Sequence, residues 1–112
     1  MVNQTFELMS QSEAIATVEN YVKSIRSLGV QVRKAFLFGS FAKNRQSEWS
    51  DIDVALIADN FIGFSVTDKI PFKRLHAKKE FMAIETHTFA ASSLTEHNAF
   101  LEEIIKTGIE IC

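Results

Sequence analysis

One cysteine, one proline, four glycines and no apolar run of membrane-spanning length narrow what this chain can be. The lone Cys112 excludes an internal disulfide and fits a reducing compartment. Residues 1–9 lack the basic start and long apolar stretch of a secretion signal, so a cytoplasmic protein with no membrane partner is expected. Charge of one sign is also missing. A formal net charge of −2 gives no broad positive field, so long nucleic acid is not an expected partner, although a local basic cluster can hold a triphosphate. Apolar residues make up 46% of the chain and include ten Phe, which implies a folded core. A length of 112 residues suits one domain, 1–112.

The pattern of apolar residues predicts an alternation of helices and strands. Ser10-Gln11-Ser12-Glu13 has the form of a capping box, after which Ile15, Val18, Tyr21, Val22, Ile25 and Leu28 recur at helical spacing until Gly29. Residues 30–38 read as a strand ending in Ala35-Phe36-Leu37-Phe38, a short helix is expected over 40–45, and residues 51–58 read as a second strand. Gly63 and Pro71 interrupt 60–79, where the basic run Lys73 to Lys79 suggests a helix with a solvated face. Residues 81–89 alternate as a third strand. Residues 95–106 read as a closing helix that buries Phe100, Leu101, Ile104 and Ile105, and 109–111 as a short last strand. This order predicts an α+β domain of two layers, a mixed sheet with helices packed on one side.

Two features in this frame carry chemistry. Phe38-Gly39-Ser40 closes the first strand, and after ten intervening residues comes Asp51-Ile52-Asp53. Strand alternation points Asp51 and Asp53 the same way, roughly 7 Å apart, with Ile52, Val54 and Leu56 directed into the core. Paired carboxylates repel each other and lose hydration, a cost that a divalent cation relieves. Gly39 leaves space for backbone amides to approach a phosphate, and the Ser40 hydroxyl can donate to one. A calcium loop does not fit, because Val54-Ala55-Leu56-Ile57 continues as a strand interior. Two Mg2+ ions about 4 Å apart ordinarily need three carboxylates, and Glu85 on the third strand is the expected third. His87 shares its face but reads as a structural histidine, and Trp49 as an anchor for the 46–50 loop. His76 and His97 have no ligand-spaced partners, which argues against zinc.

Gly-Ser, ten residues and Asp-x-Asp together resemble the signature of the nucleotidyltransferase superfamily that includes DNA polymerase β. The chain's length resembles the minimal members, many of which are antitoxin partners of HEPN-domain proteins. The resemblance implies the nucleotidyltransferase fold, with Asp51, Asp53 and Glu85 as catalytic metal ligands. It also departs from the family pattern in two places. The third carboxylate is usually Asp, and where relatives often carry Ala-Arg-Gly this chain has Ala42-Lys43-Asn44. Lys43 and Arg45 are the cations expected to neutralise the triphosphate.

The expected activity is Mg2+-dependent transfer of a nucleoside monophosphate, AMP from ATP, to a hydroxyl acceptor. Larger relatives hold the acceptor with an added helical domain, for which this chain leaves no residues. The acceptor is therefore expected on a second subunit or a partner, and the resemblance implies a HEPN toxin. The contrasting expectation is a non-catalytic module that neutralises a protein partner by occlusion.

Overall fold

A computed structural model of the chain describes residues 9–112. Helix α1 spans Gln11–Ser27, strand β1 Val32–Phe38 and strand β2 Ile52–Ala58. A single-turn helix α2 follows at Ser65–Asp68, then 3-10 turns over Ile70–Ala77 and Lys79–Phe81. Strand β3 spans Ile84–Ala90, a further 3-10 turn Ala91–Leu94, helix α3 Ala99–Thr107 and strand β4 Ile109–Glu110. The sheet order is β3-β2-β1-β4, with β2 and β3 parallel and the other neighbours antiparallel.

The α+β class and the mixed sheet are as the sequence predicts, with one refinement. Val54 and Leu56 of β2, with Ala35 and Leu37 of β1, meet Val18, Tyr21 and Ile25 of α1 on one face. Phe36, Ala55, Ile57 and Phe89 point the other way and meet Leu101 and Ile104 of α3. The helices are thus not all on one side: α3 covers part of the second face. Among the described residues, the rest of this face, where Asp53 and Glu85 emerge, is open beside α3.

The first helix starts where its capping box places it. Ser10 Oγ accepts from the Glu13 amide at 3.0 Å and Glu13 Oε1 accepts from the Ser10 amide at 2.8 Å. Leu28, expected on its buried face, is instead the 42% exposed C-cap residue. Inside the fold, the Tyr21 hydroxyl lies 2.7 Å from Thr86 Oγ1, and burial pushes its pKa up to about 12.

Two predicted segments take other forms. Residues 60–79 hold no long helix, because Phe72 leaves helical geometry (φ −124°) to bury its ring against Tyr21 and Phe61. Buried Asp68 fixes the segment by accepting from the amides of Ile62 and Gly63 and from the Thr88 hydroxyl, each at 2.9 Å. Side chains of the segment also satisfy the free edge of β3: Ser65 Oγ accepts from the Thr88 amide, and His76 Nε2 lies 3.2 Å from the Ile84 carbonyl.

The third strand starts at Ile84, not residue 81, because Phe81 sits in a 3-10 turn with its ring against Tyr21 in the core. Phe81 therefore does not share the face of Glu85. The last helix starts at Ala99 because Asn98 caps it, its Oδ1 accepting from the Leu101 amide. Leu101 and Ile104 are buried as expected, whereas Phe100 is 50% and Ile105 43% exposed. Among the described residues no helix is long and apolar enough to cross a membrane.

Candidate active site

The register of three strands assembles the site. Phe38 at the end of β1 pairs with Asp53, and Asp53 in turn pairs with Glu85 of the parallel strand β3. Alternation carries Glu85 and His87 to the same face as Asp53. One ligand atom each from Asp53, Glu85 and His87 lie within 4.8 Å of one another. His87 Nε2 is 3.3 Å from Glu85 Oε1.

Asp51 lies just before β2 and is exposed. It stands outside the compact trio, and of the charges acting on Asp53 its own is the weakest named. Asp53 is partly buried. Burial, and then the negative charge of Glu85, raise its pKa above the ordinary carboxylate range, with a nearby His87 charge opposing the shift. Two carboxylates forced together in this way, with an imidazole beside them, match the donor chemistry of a divalent metal site.

This electrostatic cost has a measurable sign. An acid with a raised native pKa holds a proton that the unfolded chain has already lost, so stability falls as pH rises through that window. An Asp53→Asn variant is expected to lose this part of the acid-to-neutral decline. Without metal it should melt above the parent at neutral pH, and thermal melts across that range check the difference.

Gly39 follows Phe38 with φ +77°, in the left-handed region. A Cβ built on it would overlap the Oδ2 atom of Asp53, so the turn and the carboxylate can be this close only because residue 39 has no side chain. Residues 40–45 form a compact turn and not the expected short helix. The Arg45 amide donates to the Ser40 carbonyl at 2.8 Å, and Asn44 turns the chain with φ +55°. Asn tolerates this left-handed conformation better than most residues, so Asn44 takes a backbone position suited to glycine. Buried Phe41 and the Gln11 side-chain amide, which donates to the carbonyls of Phe41 and Ala42, tie the turn to α1.

Lys43 and Arg45 extend from this turn into solvent, and Ser40 is half-buried. Trp49 is 84% exposed and, among the described residues, is not the loop anchor expected of it. On the far side of Glu85, a cleft of about 780 Å³ is lined by Asp51, Glu85, Lys69, Lys73, Ile70 and Met82, among others. The sequence reading passed over Lys69 and treated Lys73 as a solvated helix face. No local spacing signals their convergence, because the chain between them leaves helical geometry at Phe72 and only the fold brings both to the cleft. His87, read as structural although it shares the face of Glu85, is brought by the fold within 4.8 Å of the two acids.

Comparisons with known proteins bear on the family and the fold. The family model described as polymerase beta, nucleotidyltransferase, matches residues 5–112. A candidate nucleotidyltransferase from Sulfolobus solfataricus has a similar structure, with a TM-score of 0.65 at 15% identity over 98% of this chain and 89% of its own. A mutant form of the toxin–antitoxin complex MntA–HpeT contains a chain similar at a TM-score of 0.56 and 17% identity, covering 84% of this chain and 72% of that one. No curated protein sequence matches at a significant level.

Proposed function

The chain belongs to the polymerase-β nucleotidyltransferase family, and from that premise we propose that it transfers AMP from ATP to a hydroxyl acceptor. In the reaction the acceptor hydroxyl gives up its proton to a site carboxylate or to solvent as its oxygen bonds to the α-phosphorus, the bond from that phosphorus to the bridging oxygen breaks, and pyrophosphate leaves. The observation that carries the reading is the placement of Asp53 against both Glu85 and the side-chain-free Gly39 turn. Asp51, Asp53 and Glu85 are assigned to hold two Mg2+ ions. Bound there, Mg2+ offsets the negative charge of the phosphates.

The remaining roles belong to the chain's own residues. The Gly39 turn admits the triphosphate close to the backbone, and the Ser40 hydroxyl donates to its β- or γ-phosphate. Lys43 and Arg45 neutralise its outer charge. The cleft beside Glu85 offers a second approach to the same acids, with Lys69 and Lys73 as its cations. Labelled ATP, Mg2+ and an acceptor test the activity, and loss of transfer in an Asp51→Ala, Asp53→Ala double variant is the expected result.

A protein acceptor is part of the proposal. The likeness to a chain of a toxin–antitoxin complex supports a toxin partner, and we assign this role to a HEPN-type protein that receives AMP on a tyrosine hydroxyl. Affinity capture from the native host is expected to recover such a protein, carrying a mass increase of one AMP when ATP is supplied. Capture of no HEPN-like protein, or of one left unmodified, counts against this acceptor without touching the transfer chemistry.

A further inference from the structure

Nothing in the two-aspartate motif requires a nitrogen donor, yet His87 stands within ligand distance of the acids. From this we infer that His87 is a direct metal ligand, giving the site a mixed oxygen and nitrogen donor set. The inference rests on the metal-dependent reading above and sharpens it into a statement about which cation the site discriminates.

The geometry supports ligation over casual proximity. The parallel register places His87 one alternation step beyond Glu85 on the open face of the sheet, opposite Ala55. A small residue at 55 leaves the imidazole free of a bulky neighbour on that side. Edge-on contacts to Phe38 and Phe100, with ring centroids 5.3 and 5.7 Å away, confine the ring. Held in this way, its Nε2 faces Glu85 Oε1 at 3.3 Å, and both atoms fall with an Asp53 oxygen inside the 4.8 Å group. Adjacent ligands of one octahedral ion at metal–donor distances near 2.1 Å stand about 3 Å apart and opposite ones about 4.2 Å, so this spread suits a single ion.

Donor type then sets selectivity. Mg2+ is a hard ion that favours oxygen, whereas imidazole favours first-row transition ions, and carboxylates accept Mn2+ readily. Two carboxylates with one imidazole should therefore bind Mn2+ over Mg2+ by a wider margin than an all-carboxylate site. Replacing the imidazole by an amide should narrow that margin by about tenfold.

The experiment uses Mn2+ alone, without nucleotide, so that no substrate nitrogen can contribute. Pulsed electron paramagnetic resonance of the Mn2+-loaded chain is expected to show modulation from a coupled 14N nucleus. In His87→Gln the modulation should vanish while Mn2+ still binds, and competition titrations should record the narrowed Mn2+-to-Mg2+ ratio. Metal-free melting and circular dichroism establish that the variant is folded, and the wild-type spectrum decides the matter even if it is not. Mn2+ bound without nitrogen modulation overturns the inference alone and leaves His87 as a hydrogen-bond partner of Glu85. Failure to bind Mn2+ at all overturns both it and the metal-dependent reading.

Discussion

Removing both aspartates is expected to slow AMP transfer by at least about a thousandfold. Loss of a single preorganised hydrogen-bond donor to a developing charge already costs about a hundredfold to a thousandfold in well-studied enzymes. Here an Asp51→Ala, Asp53→Ala double variant loses two of the three carboxylates assigned to the metals. The two positions should not contribute equally. Asp53 lies within 4.8 Å of the Glu85 and His87 donors and beside the Gly39 turn, while Asp51 stands exposed outside that group. Asp53→Ala alone should therefore approach the double variant, and Asp51→Ala should retain more activity. Folding is a separate question, since removing Asp53 relieves repulsion and the variants should melt no lower than the parent without metal. Folded variants that transfer AMP at the parental rate would falsify the assignment.

The parts of this arrangement that were legible in the sequence are those governed by short-range rules. Strand β2 and the second half of β1, residues 35–38, are nearly continuous apolar runs, and the Ser10–Glu13 box marks a helix start through bonds only three residues apart. Gly39-Ser40 and Asp51-Ile52-Asp53 could be read as a motif because local geometry fixes which way each side chain points. Glu85 required a further supposition, that β3 lies parallel beside β2 in the register that matches 85 to 53.

What was not legible depends on long-range placement. Phe81 fits a strand by alternation, but its ring is worth more in the pocket around Tyr21, and the backbone turns to put it there. Residues 60–79 are organised by Asp68, Ser65 and His76 bonding to distant backbone, a pattern with no period to detect. The side of the sheet chosen by α3 follows from β4 joining the outer edge of β1, which two residues of strand hardly announce. Lys69 belongs to the same class: its charge was visible, its neighbours across the cleft were not.

Gly39→Ala is expected to damage folding and metal binding together, through a single atom. The left-handed backbone at φ +77° alone costs a residue with a Cβ about 1–2 kcal/mol. Gly29, at φ +92° with nothing near its missing Cβ, isolates that strain, so Gly29→Ala serves as the control. At Gly39 the new methyl also overlaps Asp53 Oδ2. The backbone there cannot yield cheaply, since Phe38 pairs with Asp53 across β1 and β2. The Asp53 carboxylate must swing away instead, leaving Glu85 and His87 without their third donor. Gly39→Ala should therefore melt lower than the Gly29→Ala control and bind Mn2+ at least about tenfold more weakly than the parent. In an Asp53→Ala background the overlap has no partner, and Gly39→Ala should then cost only what the control costs. A stability loss of equal size in both backgrounds would mean that residue 39 is small for the sake of its own turn, and that Asp53 does not depend on it.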